Sequence, residues 1–142
     1  PHDRIVLQTG PTDRFCIRVA PLSAPDRTRW SSCRFGPAAW SPDGRNALAT
    51  WTYFDENGTD RWLTVRDSTG ERRGRVVGRL DWAAVWEDDE HFVTAVQGKG
   101  RWATLIRCTV GGRCERAGPL WRVRSPGYPL FYLGPPVVLA RN

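Results

Sequence analysis

The sequence lacks the features that mark several common classes of protein. No apolar run approaches the roughly 18 residues of a membrane-spanning helix. The chain has only 2 histidines, no Gly-x-Ser-x-Gly elbow and no nucleophile beside an obvious base. No glycine-rich phosphate loop leads from a strand into a helix. These absences predict a protein that is not an enzyme, with no catalytic residues, no cofactor, no metal and no membrane span in this chain.

Lysine is nearly absent, because Lys99 is the only one among 21 basic residues. With 15 acidic residues, the arginines give a net charge of +6. Acidic residues are interspersed with the arginines along the chain, whereas a nucleic-acid groove needs basic residues gathered on one face. Arginine at strand edges and solvent-facing positions is the simpler interpretation. We therefore expect no nucleic acid among the partners.

Sustained helical periodicity is absent as well, and short β-prone runs alternate with turn residues instead. The length of 142 residues suits one domain with its own core. The 8 tryptophans suit sheets that stack on one another through large flat side chains. The sequence predicts a single all-β domain.

Four cysteines form two local pairs, Cys16 with Cys33 and Cys108 with Cys114. Three connectivities are possible, and local pairing is favoured because each pair brackets one hairpin. If Cys108 faces Cys114 directly, the connection holds an odd number of residues, which predicts a loop at 110–112 with a glycine in the left-handed position.

Disulfides indicate a protein outside the cytoplasm, either secreted or in the cell envelope. Zinc binding, with His2 or His91 as an additional ligand, is one alternative, but no close CxxC spacing supports it. Free buried thiols are the other alternative.

An internal repeat organises the chain. Its first copy is a strand, a tight turn and a second strand around the motif Trp40-Ser41-Pro42-Asp43-Gly44, in which proline presets φ and glycine permits positive φ. In a weaker second copy, Trp86 and Asp89 stand 46 residues after Trp40 and Asp43. Two further matching segments, 61–66 and 101–107, begin 40 residues apart. Two anchors in the same order indicate a true repeat.

The repeat divides the chain into units of four short strands joined by turn residues. The predicted strands are 37–41, 46–54, 61–67 and 73–79 in one unit, and 82–86, 91–97, 101–109 and 113–117 in the next. Strands near 3–9, 14–20 and 29–35 precede them. The predicted organisation is a partial unit at 1–36, complete units at 37–80 and 81–118, and closing strands within 119–142, where 128–140 are β-prone.

Units of about 45 residues with four strands each are typical of propeller blades. The segment from Trp40 to Leu48 and the later turn Asp67-Ser68-Thr69-Gly70 resemble the TolB-like, WD-repeat-like β-propeller repeat over roughly residues 36–118. The resemblance implies a β-propeller-like stack of four-stranded antiparallel blades. It also implies a structural role in the blade turns for Trp40, Ser41, Pro42, Asp43, Gly44, Trp86 and Asp89. A sialidase Asp-box is not indicated, because it needs a residue between the aspartate and the glycine.

About three blade equivalents are visible, whereas closed propellers use about four to eight. We therefore expect an incomplete ring. Either the chain is a fragment of a longer protein with further blades upstream, which a start at Pro1 favours, or it is half of a homodimeric propeller. In both cases the end strands would close the ring.

Two segments carry residues that could bind a metal ion or act as a base. Asp55, Asn57 and Asp60 offer oxygen ligands to Ca²⁺, but the stretch lacks the bidentate carboxylate of a calcium loop, so a solvated hairpin turn is preferred. Asn57 also begins a glycosylation sequon. Asp88, Asp89, Glu90 and His91 form the densest acidic cluster, where a metal or general-base role for His91 is weighed against a plain surface turn, which we favour.

The resemblance also bears on function, because the TolB-like family includes periplasmic interaction proteins. We expect a non-enzymatic scaffold that binds a protein partner, or a second copy of itself, through loops at one end of the blades. One alternative is an accessory or gating propeller of a larger secreted hydrolase or peptidase. Another is a small-molecule or glycan site near the blade axis.

Overall fold

A computed structural model describes residues 3–10, 16–51, 60–80, 84–98 and 102–122. Within these ranges the regular structure is entirely β, with twelve strands and no helix. The strands are β1 (Ile5–Thr9), β2 (Cys16–Ala20), β3 (Trp30–Ser32), β4 (Phe35–Trp40), β5 (Asn46–Trp51), β6 (Asp60–Asp67), β7 (Arg72–Leu80), β8 (Val85–Trp86), β9 (His91–Gln97), β10 (Trp102–Thr109), β11 (Cys114–Arg116) and β12 (Trp121–Arg122). The prediction of an all-β chain is confirmed.

The first sheet is antiparallel and has the order β1-β2-β3. Asp3, just before β1, holds the β2–β3 connection. Its carboxylate accepts hydrogen bonds from the backbone and the hydroxyl of Ser23 at 3.0 and 2.7 Å. Because the contact is exposed, it positions the connection more than it stabilises the sheet.

The second unit comprises β4, β5, β6 and β7, each antiparallel to the next. A bulge in β4 between Pro37 and Ala39 breaks its register with β5. Proline has no N–H for the ladder, and β4 is the edge strand of this unit, where such a bulge is tolerated.

The third unit comprises β8, β9, β10 and β11 in the same antiparallel order, and β12 pairs with β10 beyond β11. The second and third units are not separate sheets. The end of β7 pairs with β9 through Arg79–Gln97 and Leu80–Val96, so hydrogen bonds connect the nine strands β4 to β12. The expectation of distinct four-stranded blades therefore needs this correction, and no sheet closes on itself among the described strands.

The main hydrophobic core lies between the second and third units. Leu48, Leu63 and Val65 of the second unit contribute to the same buried cluster as Phe92 and Cys108 of the third. The Trp86 ring packs edge-on against Phe92, with centroids 5.5 Å apart and an interplanar angle of 65°. The two units thus bury their facing surfaces against each other, as layered β structures do.

The strand predictions hold in position and differ at the ends. The eight strands predicted for 37–117 correspond to β4 to β11, with bounds that shift by at most a few residues. The predicted strands at 3–9, 14–20 and 29–35 correspond to β1, β2 and β3. The predicted closing strand at 128–140 and most of the loop with Asp55 and Asn57 lie outside the described residues, and Asp60 begins β6.

Candidate interaction surface at the turn-bearing end

The β4–β5 turn is built around Ser41 and Asp43. The Ser41 backbone donates to Asn46 O at 2.8 Å, and the Gly44 backbone donates to Ser41 O at 2.8 Å. Asp43 Oδ1 accepts from the Ser41 hydroxyl at 2.7 Å and from the Arg45 backbone at 2.9 Å. Gly44 has a φ of 70°, which glycine adopts without the cost that a Cβ imposes. Three of the predicted turn residues, Ser41, Asp43 and Gly44, therefore belong to one hydrogen-bonded unit.

The β8–β9 turn is one residue shorter than its counterpart. It is closed by the Glu87 backbone, which donates to His91 O at 2.9 Å. Asp88 Oδ1 accepts from the backbones of Glu90 and His91 at 2.8 and 2.7 Å. Asp88, and not Asp89, therefore has the role that Asp43 has in the first turn. His91 correspondingly matches Asn46, which closes the first turn, and not Arg45, which stands 46 residues before it.

Asp89 instead joins the two turns. Its Oδ1 accepts a hydrogen bond of 2.8 Å from the Asp43 backbone. Close by, Trp86 Nε1 donates to Ala39 O at 3.3 Å. The first strands of the second and third units are thus held together by residues that the repeat places 46 or 47 positions apart.

The hairpins that follow, β6–β7 and β10–β11, have the same geometry. In each, a three-residue loop ends in a glycine with positive φ, 87° at Gly70 and 84° at Gly112. The same hydrogen bonds close them, from Gly70 to Asp67 O at 3.0 Å and from Gly112 to Thr109 O at 2.8 Å. The loop predicted at 110–112 is confirmed, and its repeat distance is 42 residues, in contrast to the 40 that separate the segments beginning at 61 and 101.

Each of these hairpins packs against the last strand of the preceding unit. A Cβ added to Gly70 would lie 2.7 Å from the Cβ of Trp30 in β3. A Cβ added to Gly112 would lie 2.7 Å from Arg75 O in β7, and one added to Gly74 would overlap Val110 O. The glycines therefore permit a close approach that any side chain would block. The same contact between successive units occurs twice.

All of these turns lie at one end of the sheets. Asn46 pairs with Asp67, and His91 pairs with Thr109, so the two turns of each unit are neighbours. The Val110 backbone donates to Glu90 O at 2.9 Å, which ties the two turns of the third unit together. We call the surface formed by 41–45, 67–71, 87–90 and 109–113 the turn platform. Hydrogen bonds to backbone groups fix its loops.

A charge network occupies the third unit's part of the turn platform. Arg107 Nε lies 2.5 Å from Glu87 Oε2, and its other nitrogens lie 4.0 Å from Asp88 and 3.9 Å from Glu115. His91 Nδ1 lies 3.0 Å from Asp88 Oδ2. The carboxylates are exposed and Arg107 and His91 are partly exposed, so solvent screens the network and it adds little to stability.

Two pKa values in this network are shifted by its hydrogen bonds. The backbone N–H of Glu90, followed by contacts with His91, lowers the pKa of the Asp88 carboxyl despite some loss of hydration. The Glu87 carboxylate raises the pKa of Arg107 through its hydrogen bond, so this guanidinium stays charged. The Glu87–Arg107 pair could not be predicted from the sequence, because 20 residues separate its members.

Both cysteine pairs favoured from the sequence are bonded in the structure, Cys16 with Cys33 and Cys108 with Cys114. Cys108 is buried in the main core, and Cys114 is exposed beside it on β11. The second disulfide lies directly below the 110–112 loop and holds the base of that hairpin. Disulfides of this kind are consistent with an oxidising environment.

Among the described residues, no three side chains of histidine, cysteine, aspartate or glutamate are grouped to hold a metal ion, the acidic turn at 87–90 included. The described part of the chain also has no helix with the length and apolar character needed to cross a bilayer. Comparison with known proteins found no matching family model, no matching curated protein and no matching solved structure.

Proposed function

We propose that this chain is a non-enzymatic protein-interaction scaffold of the TolB-like propeller type, which acts outside the cytoplasm and binds its partner through the turn platform. The observation that carries the proposal is the repeated contact between units, because it orients each set of turns towards the same end. Loops held on a rigid scaffold are where binding residues are usually found.

The propeller arrangement is supported by two kinds of contact between neighbouring units. The last strands are joined through hairpin glycines, with Gly70 against Trp30 and Gly112 against Arg75. On the first-strand side, Asp89 accepts from the Asp43 backbone, and Arg4 stacks over Trp40 with its Cζ 4.3 Å from the ring centroid. Units related by one repeated operation form rings or open stacks. Further blades or a second copy of the chain would complete the ring.

The turn platform suits a protein partner because its shape is fixed before binding. Each turn closes on its own backbone, and the Asp89 contact joins one turn to the next. A rigid surface loses little conformational entropy when a partner binds. The platform also presents exposed carboxylates at 87–90 and the exposed Arg45, whose side chain is 85% accessible, for polar contacts at the rim of an interface.

The proposal is tested by site-directed crosslinking of the whole chain in an envelope extract of its source organism. A photoreactive residue is placed at Arg45 or at Glu90, both exposed on the turn platform. We expect both positions to trap the same partner as a discrete adduct, identified by mass spectrometry. The matched control is Gln8, exposed near the opposite end of β1.

Adducts of equal yield at Gln8, or different proteins at Arg45 and Glu90, would contradict a dedicated platform. An adduct between two copies of the chain would identify the partner as a second copy. The propeller itself would be refuted by an experimental structure in which the third unit does not pack on β7.

A further inference from the structure

The structure gathers arginines that the sequence scatters. Nine exposed arginines lie on or beside the last strands of the three units, at 27–34, 71–75 and 113–122, where the only acidic residues are Glu71 and Glu115. They are Arg27, Arg29, Arg34, Arg72, Arg73, Arg75, Arg113, Arg116 and Arg122. We call this set the arginine belt. Glu71 and Arg113 lie where the belt meets the turn platform, whose residues 87–90 are by contrast all acidic.

The belt is one surface because the last strands are spatial neighbours. The β6–β7 hairpin contacts β3 at Trp30, and the β10–β11 hairpin contacts β7 at Arg75. The first strands contact each other separately, through Asp89 and Asp43 and through Trp86 and Ala39. Each last strand is therefore a neighbour of the next unit's last hairpin, and each first strand has its own contact with the next.

The belt keeps an excess of positive charge, although acidic residues outside its three segments offset part of it. Asp3 interacts with Arg29 and Asp67 with Arg73. Glu115 lies 3.9 Å from Arg107, which is outside the belt, so part of its charge is already engaged. Glu71 is the remaining acid in the three segments. Like charges gathered on one surface raise the local potential and attract an oppositely charged partner.

We propose that the arginine belt binds an acidic polysaccharide that carries carboxylate or sulfate groups. Guanidinium groups match such oxyanions with two parallel hydrogen bonds, which a lysine ammonium does not reproduce. The chain uses arginine for all but one of its 21 basic residues. This inference goes beyond the protein-binding role of the turn platform and does not depend on it.

A nucleic acid fits the belt less well. Single strands are bound by stacking bases on several exposed aromatic rings. The belt segments hold only Trp30, 7% exposed, and the half-buried Trp121, and Trp102, 50% exposed, stands beside the belt at Arg122 alone. Among the described residues, no helix is present to enter a major groove. The disulfides favour an oxidising compartment, where acidic polysaccharides are abundant polyanions.

The test measures binding of the whole chain to dextran sulfate and to polygalacturonate, with neutral dextran and a DNA duplex as comparisons, at low and high salt. We expect both acidic polysaccharides to bind and to weaken as salt rises. The variant R72Q/R116Q removes two belt charges and should weaken binding about tenfold, since exposed charge contacts contribute roughly 0.2–1 kcal/mol each. R45E, which changes the net charge equally but lies on the turn platform, should bind as the wild type does.

Three results would overturn the proposal. These are no binding of either acidic polysaccharide at low salt, equal weakening by R45E, and tighter belt-dependent binding of the DNA duplex, which would assign the belt to nucleic acid. If R72Q/R116Q does not give the circular dichroism spectrum of the folded chain, the variant R73Q/R122Q, whose two residues lie outside the turn platform, provides the same comparison.

Discussion

Single residues decide how closely the units approach. Gly112 has a φ of 84°, and its Cα lies so close to the Arg75 backbone that an added Cβ would be 2.7 Å away. Both features exclude a side chain, for different reasons. Its neighbour Gly111 has neither restriction, since an added Cβ there meets only Thr109 Oγ1 at 3.7 Å.

The first prediction compares these two glycines. Gly112→Ala should lower the free energy of unfolding by about 1–3 kcal/mol, because it combines backbone strain with a steric clash. Gly111→Ala should change it by no more than about 0.5 kcal/mol. Urea denaturation followed by tryptophan fluorescence measures both. Equal effects would mean that the loop does not pack on β7 as described.

The second prediction concerns Asp88, whose pKa lies below its ordinary value of 3.8 mainly because the Glu90 backbone donates to it. A carboxyl with a lowered folded-state pKa stabilises the fold above its unfolded pKa, and this contribution is lost as the pH falls through the folded value. Asp88→Asn should therefore be less stable than the wild type at neutral pH, by a small amount because the side chain is exposed.

The difference in unfolding free energy should shrink as the pH falls below 3.8. Urea midpoints across the acid range measure it. Asp26→Asn, at an exposed residue of the β2–β3 connection, is the control and should differ little from the wild type throughout. A difference in unfolding free energy between Asp88→Asn and the wild type that stays constant with pH would contradict the charge-based explanation.

At the level of elements, the two disulfides constrain loops of different length. Cys16 and Cys33 are 17 residues apart, and Cys108 and Cys114 are 6 apart. A crosslink removes more conformational entropy from the unfolded chain when it closes a longer loop.

The third prediction follows from these lengths. Replacing Cys16 and Cys33 by alanine should cost about 3 kcal/mol, and replacing Cys108 and Cys114 about 2 kcal/mol. Thermal unfolding of the two variants gives the order. The reverse order would show that local packing around the buried Cys108 outweighs chain entropy. Peptide mapping of the unreduced wild type should recover both bonds and no free thiol.

The elements also show what the sequence could predict. The 110–112 loop was predictable because Cys108 and Cys114 can face each other only across an odd connection. The role of Asp88 was not, since a turn shortened by one residue moves the hydrogen-bonding aspartate while Trp86 keeps its place in the repeat. The pairing of Leu80 with Val96 was not predictable either, because the sequence divides the units at that point and gives no register across the division.

In the whole molecule, the second and third units share one core. Phe92 is completely buried and belongs to the same cluster as Leu63 and Val65. Units that share a core unfold together, because neither can keep its apolar surface from water alone.

The fourth prediction tests this cooperativity. Phe92→Ala should lower the free energy of unfolding by about 3–5 kcal/mol. Hydrogen exchange should speed up equally in peptides from β6 and from β10, although the mutation lies in β9. Val77→Ala is the control, since Val77 is 69% exposed on the surface, and should change little. Faster exchange confined to β10 would show that the units are independent.

The arginine belt shows why a binding surface could not be predicted from the sequence. Arg29, Arg72 and Arg113 stand about 42 residues apart, close to the hairpin repeat, but neighbouring acidic residues obscure the pattern in the sequence. Only the placement of last strands beside one another brings them together. The sequence shows the charge of each arginine, but which arginines are neighbours depends on the fold.

The hairpin seated on Arg75 has a practical consequence for anyone who modifies this protein. A tag or label inserted between Thr109 and Arg113 would separate this hairpin from β7 and disrupt the packing of the third unit on the second. The exposed stretch at 25–26 lies outside the arginine belt, and it is the place where foreign sequence should be accommodated.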